Sequence, residues 1–170
     1  TSVSEAGSTD SFTVVLTAQP SSDVVLSVVS ADTGEATVSP AQLTFTNGNW
    51  DTAQTVTVTG VDDSAVDGTQ TTAVTVAVVD GSSDDTYDPV ADSTVSVTTS
   101  DDDTASFTLS GTAVTVSEAG STATFTAVLG AQPSSDVVLS VVSADTGEAT
   151  VSPATLTFTS GNWSTAQTVT

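Results

Sequence analysis

The stretch TTAVTVAVV, residues 71–79, carries a valine at every second position and has no charged residue. Val74, Val76 and Val78 would share one face of an extended strand, because successive side chains of a strand point to opposite faces. Branching at Cβ favours this pleated conformation over a helix. The stretch therefore predicts a β-strand with one buried face.

The same alternation recurs along the chain, with turns about every 8 to 14 residues. Seven strands of this kind predict an antiparallel β-sandwich of immunoglobulin-like type. Trp50 and Trp163 are expected to cap the core, with stacking on a sugar as the alternative. The other inward-facing residues predicted are Phe12, Val14, Leu16, Val24, Leu26, Val28, Leu43, Phe45, Val56, Val58, Val95, Val97, Phe107, Leu109, Val114 and Val116.

An internal repeat sets the domain organisation. Residues 1–57 align without a gap with residues 114–170, and 48 of the 57 pairs are identical at an offset of 113. This period suits a whole domain. We therefore expect an all-β chain of tandem sandwiches: residues 1–103 form one that lacks its first strand, and residues 104–170 form the N-terminal part of the next. Near-identical neighbouring copies are typical of a stalk or fibre.

The composition excludes several classes of function. The chain has 21 acidic residues and no Lys, Arg or His, for a formal charge of −21. Nothing in it pairs with a phosphate, which argues against nucleic acid and anionic membrane surfaces as partners. Without His, Lys, Arg or Cys, few groups remain for acid–base or nucleophilic catalysis, so we expect no enzyme. The acidic, Ser/Thr-rich composition favours an extracellular location.

The acidic residues concentrate in loops that the predicted sandwich would bring together. If the strands, labelled A to G, run up and down, loops AB, CD and EF and the end of strand G lie at one pole. These segments carry Glu5, Asp32, Glu35, Asp62, Asp63, Asp67, Asp101, Asp102 and Asp103. Hard cations such as Ca²⁺ take six to eight oxygen ligands, whereas the absence of His and Cys argues against softer metals. Either these carboxylates bind Ca²⁺, or they are solvated loop residues that keep the protein soluble.

The FG loop at the opposite pole is also acidic. It holds Asp80, Asp84, Asp85, Asp88 and Asp92. If the domains stack end to end, this pole would face the acidic pole of the preceding domain, near Asp103, and Asp136 in the second copy would also lie near that joint. A second, weaker cation site is predicted across the joint.

The motifs VSEAG at residues 3–7, VDD at residues 61–63 and DDD at residues 101–103 resemble those of the Calx-β domain. The chain is especially similar to Calx-β-like and cadherin-like tandem repeats of very large bacterial surface proteins. The resemblance implies a seven-stranded sandwich that binds Ca²⁺ at one pole. The ligands it implies are Glu5, Asp32, Asp62, Asp63, Asp101, Asp102 and Asp103, with Glu118 and Asp145 in the second copy. Here the EF loop lacks the family's usual glutamates, and Asp67 is the acid that remains as a candidate ligand in that stretch.

Together these observations predict a structural repeat of a Ca²⁺-rigidified extracellular stalk, adhesin or filament at the cell surface. Its partners would be neighbouring copies of the same repeat, joined covalently or by exchange of strand A at a sheet edge. The alternative is an adhesive module whose threonine-rich face, such as TVTVT at residues 55–59, binds glycans, ice or a host surface.

Overall fold

The protein is all-β. The computed structural model describes residues 1–170, of which 41% lie in strands, and it contains no α-helix. The single helical turn is the three-residue 3-10 element Asp80–Ser82, so no helix is long enough to cross a bilayer. The all-β prediction from composition and alternation is confirmed.

Two compact units divide the chain. The first comprises Thr1–Asp63 and Gly68–Asp102, and the second comprises Ser64–Asp67 and Asp103–Thr170. Ser64–Asp67 belongs to the second unit because Val66 N donates to Gln132 O (3.1 Å) and Gln132 N donates to Ser64 O (2.6 Å).

The first unit contains eight strands in two sheets. They are β1 (Ser2–Ser4), β2 (Thr9–Val14), β3 (Val24–Ser30), β4 (Ala36–Ser39), β5 (Gln42–Phe45), β6 (Gln54–Gly60), β7 (Gln70–Val78) and β8 (Ser93–Ser100). One sheet has the order β1-β8-β7-β3-β5 and the other the order β2-β6-β4.

Buried side chains from both sheets form one core. Alternate residues of β3, β7 and β8 meet those of β6 and β4, as the period-two pattern predicted. Phe45 and Val74 are 0% exposed, and Trp50 is half-buried. The shared core consists of Val3, Val24, Leu26, Val28, Ala36, Leu43, Phe45, Val56, Val58, Val74, Val76 and Val97.

One strand pair departs from the predicted antiparallel arrangement. β1 pairs in parallel with β8, in a register that sets Ser4 opposite Ser100. After β1 the chain turns at Gly7, whose φ of 80° suits glycine, and then enters β2 in the other sheet. The three residues of β1 therefore lie beside the end of β8, and both strands run toward the same pole.

Gly60 allows this turn to approach β6. A Cβ at Gly60 would collide with the carbonyl oxygen of Ser4 and lie 3.3 Å from Cγ2 of Val3. Because backbone must move, Gly60→Ala is expected to lower the free energy of unfolding by about 2 kcal/mol. Chemical denaturation measures this change. Gly81→Ala is the control, since no atom lies within 4 Å of its Cβ position; equal midpoints for the two variants would contradict the prediction.

The second unit has five strands in two small sheets. They are β9 (Phe107–Leu109), β10 (Phe125–Leu129), β11 (Val137–Ser140), β12 (Thr155–Phe158) and β13 (Gln167–Val169). The sheet orders are β13-β10-β9 and β11-β12. Its buried core is Ala127, Leu129, Leu156, Phe158 and Val169, against which Trp163 packs.

Four predicted core residues of the second unit are exposed. Phe107 and Leu109 are 55% and 43% exposed, and Val114 and Val116 are 51% and 42% exposed. Val3, the counterpart of Val116, is buried at 5% exposure beside β8.

Candidate metal centre

Glu5 is a buried carboxylate held by the pairing of β1 with β8. Its backbone N–H donates to the carbonyl of Ser100 (3.1 Å), which extends the pairing by one residue. The Glu5 residue is 1% exposed. Asp101 follows Ser100 directly, so the geometry of one strand pair sets two acidic residues side by side.

Glu5 forms a close group with two members of the terminal aspartate run. One carboxylate oxygen each of Glu5, Asp101 and Asp103 lies within 4.8 Å of the other two. Both aspartates are half-buried. We call these three residues the carboxylate cluster.

Hydrogen bonds bring further loops to the same pole. The N–H of Gly68 donates to Oδ2 of Asp101 (2.8 Å), which fixes the end of the β6–β7 loop. The carbonyl of Glu35, in the β3–β4 loop, accepts from Val61 N (3.0 Å) and Thr99 Oγ1 (3.4 Å). Segments distant in sequence therefore meet at one pole, as predicted from strands that run alternately up and down.

The remaining predicted ligands lie outside the carboxylate cluster. Asp32 and Asp145 each close their own turn, accepting from Gly34 N and Gly147 N at 2.9 Å. Glu118, the counterpart of buried Glu5, is exposed. The exposed predicted ligands are Asp32, Asp62, Asp63, Asp67, Asp102, Glu118 and Asp145.

The cluster offers carboxylate oxygens, the type of ligand that hard cations prefer. Two like unit charges about 4 Å apart repel by about 4 kcal/mol at an effective dielectric constant of 20. The chain has no Lys, Arg or His to offset this repulsion. Three carboxylates supply part of a Ca²⁺ shell, and carbonyl groups and water are the usual remainder.

Asp84 in the FG loop has a structural role that sequence reasoning missed. It is 3% exposed, and its Oδ2 accepts from Ser21 N (2.6 Å), Ser21 Oγ (2.7 Å) and Ser22 N (3.0 Å). Its Oδ1 accepts from Thr86 N (3.0 Å) and Thr86 Oγ1 (2.6 Å). Hydrogen bonds from Thr86, Ser21 and Ser22 hold the pKa of Asp84 well below its usual range. Neutral donors therefore satisfy this carboxylate, which ties the FG loop to the loop after β2.

The other FG-loop aspartates do not form a three-ligand group like the carboxylate cluster. Partial desolvation raises the pKa of Asp88, and the like charges of Asp80, Asp85 and Asp84 raise it further. The second cation site predicted across the joint between domains stays a prediction.

Comparisons with known proteins leave the chain without an assigned family. No family model and no curated protein matches it. Among solved structures it is similar to SSP-19, an MSP-domain protein like family member in Caenorhabditis elegans, with 17% sequence identity and a TM-score of 0.37. That similarity covers 59% of this chain and 91% of the other.

Proposed function

We propose that the chain is a structural repeat of an extracellular stalk, adhesin or filament, rigidified by Ca²⁺ and without catalytic activity. In this proposal the repeats are tandem, seven-stranded, immunoglobulin-like sandwiches of Calx-β type. Neighbouring copies of the repeat are the partners, and the location is the cell surface.

The carboxylate cluster carries the proposal. Glu5 is 1% exposed, and its carboxylate lies within 4.8 Å of those of Asp101 and Asp103. Negative charges held together at a half-buried site repel one another, and a cation, a shared proton or hydrogen-bond donors can offset that repulsion. In a chain with no basic side chain, a divalent cation is the agent that fits an all-oxygen ligand set.

Rigidity follows from where the cluster lies. Asp101 accepts a hydrogen bond from Gly68 and follows the last strand of the first unit, while Glu5 follows β1. A cation bound there would cross-link the turn after β1 to the end of β8, the last strand of the first unit. It would also restrict the β6–β7 loop through Gly68.

Direct titration of the full chain with Ca²⁺ tests the proposal. Calorimetry should detect at least one site with a Kd of about 10⁻⁴ M, the affinity of extracellular modules, and much weaker binding of Mg²⁺. Glu5→Gln should remove that site, whereas Asp51→Asn, an exposed change outside the predicted ligands, should leave it. No heat beyond dilution at millimolar Ca²⁺ would refute a calcium role.

An adhesive binding module is a second candidate, favoured by the outer face of the sheet β2-β6-β4. Eight hydroxyl side chains occupy this face in register, because β2 and β4 both pair with β6. They are Thr9, Ser11, Thr13, Thr37, Ser39, Thr55, Thr57 and Thr59. Binding of the chain to glycans or ice that persists in the Glu5→Gln variant would favour this function over the structural one.

A further inference from the structure

The first and last strands of the first unit are bonded directly to each other. β1 precedes the other strands of the unit and β8 follows them, yet the two pair in parallel and set Ser4 opposite Ser100. Thr98 N donates to Thr1 O and Glu5 N donates to Ser100 O, both at 3.1 Å. These bonds join segments that are almost 100 residues apart in the sequence.

Tension along the chain would act on this pair in shear. β1 and β8 run toward the same pole, so a pull on Thr1 and a pull on Asp102 act along the strands in opposite directions. The hydrogen bonds lie across the strands, and all of them are therefore strained together. Two strands pulled apart from a shared end would instead lose their bonds one after another.

The β1–β8 ladder is the shorter of the two that hold β8. β7 pairs with β8 over seven residue pairs, from Gln70 opposite Thr99 to Val76 opposite Ser93. β1 pairs with β8 over three. Under tension β8 should therefore stay bonded to β7 while the β1–β8 ladder is strained, so the contact of β1 determines when the unit opens.

The side chains of β1 oppose its sliding along β8. Val3 is 5% exposed in the shared core, and Glu5 is 1% exposed at the carboxylate cluster. A slip of one residue would turn Val3 out of the core, because successive side chains of a strand alternate in direction. A slip of two residues toward the start of β1 would bring the Glu5 carboxylate to the apolar site of Val3, which is costly. The register therefore resists gradual slippage.

We propose that the β1–β8 pair is a mechanical clamp that resists tension along the chain. The clamp rests on the proposed function only in that a stalk or filament transmits tension. The carboxylate cluster lies at the end of this pair, since Glu5 directly follows β1 and Asp101 directly follows β8. A cation bound there would add a cross-link in line with the ladder, and by linkage tension would weaken cation binding.

Single-molecule force spectroscopy of the full chain in excess chelator tests the clamp. The chain has no cysteine, so pairs of new cysteines determine where the force acts. Thr1→Cys with Asp102→Cys places the β1–β8 pair in shear. Ala6→Cys with Asp102→Cys uses two exposed positions at one pole and leaves β1 without tension. The first pair should require about twice the unfolding force of the second, because its hydrogen bonds share the load.

A proline in β1 locates the resistance. Glu5 N bonds to β8, and alternate residues of a strand face the same neighbour, so Val3 N also faces β8. Val3→Pro removes that donor and should lower the force for the Thr1 and Asp102 attachment to that of the Ala6 attachment. Ser2→Pro is the matched control, because Ser2 N donates to Oδ2 of Asp10 (3.0 Å) and not to β8. It should keep the higher force.

Two results would overturn the clamp. One is an equal unfolding force for the two attachment pairs, a comparison that needs no proline variant to fold. The other is a Val3→Pro variant that unfolds at the same force as Ser2→Pro. Repetition in millimolar Ca²⁺ separates this proposal from the calcium role. A force that rises in Ca²⁺ for the Thr1 attachment supports both, whereas an unchanged force that still exceeds that of the Ala6 attachment supports the clamp and contradicts the calcium role.

Discussion

Ca²⁺ at 10 mM is expected to raise the Tm of the chain by about 10–20 °C relative to the same protein in excess chelator. With a Kd of about 10⁻⁴ M, this concentration is about 100 times the Kd. Ligand linkage then adds about 2.7 kcal/mol to the free energy of unfolding of the first unit. For a unit of this size, 1 kcal/mol shifts Tm by about 4–8 °C. Differential scanning calorimetry measures the shift, with Mg²⁺ at equal concentration as the ionic control.

Two substitutions separate metal binding from general charge screening. Glu5→Gln keeps the size of a buried side chain and removes one charge from the carboxylate cluster, so it should abolish most of the Ca²⁺-induced shift. The variant should also be less sensitive to chelator than the parent, since one of three repelling charges is gone. Asp51→Asn removes an exposed charge and should retain the full shift. Superimposable melting curves in Ca²⁺ and chelator would mean that the carboxylates are not a metal site.

The convergence of the acidic loops was predictable because alternation in a sandwich determines which loops share a pole. Glu5 meets Asp101 for this reason, and the β1–β8 register completes the contact. Which of the acids actually come within ligand distance was not predictable. Asp32 is followed by a glycine two residues later and accepts its N–H, so a local turn holds a side chain that was predicted to be a ligand.

The parallel pairing of β1 and the role of Asp84 both escaped sequence reasoning, for different reasons. β1 has only three residues, too few for periodicity to indicate its partner or direction. In the sequence, Asp84 is one of five acids in the FG loop and nothing local distinguishes it from the other four. Its bond to Thr86 is local and follows the usual side-chain-to-backbone pattern, but its bonds to Ser21 and Ser22 span more than 60 residues. Contacts at that separation depend on the folded topology.

The loss of Asp84 is expected to lower the Tm of the first unit by about 10 °C. Asp84→Ala removes the buried acceptor of five hydrogen bonds, whose donors belong to Ser21, Ser22 and Thr86. Loss of several hydrogen bonds to an ionised acceptor is destabilising, and one lost network of this size shifts Tm by about that amount. Asp85→Asn is the matched control, because it neutralises the adjacent exposed carboxylate without removing these bonds.

The pH dependence of this effect has a definite sign. The folded state holds the pKa of Asp84 below its unfolded value of about 3.9, so the ionised carboxylate stabilises the fold above about pH 4. This contribution is lost as the pH falls below about 4 toward the folded pKa.

Protonation of the other carboxylates also changes stability in acid, so the informative quantity is the Tm difference between the parent and Asp84→Asn. That difference should be constant from about pH 7 to 5 and should shrink between about pH 4 and 2. A difference that grows in acid, or an equal one for Asp85→Asn, would show that hydrogen bonding to ionised Asp84 does not tie the FG loop to the loop after β2.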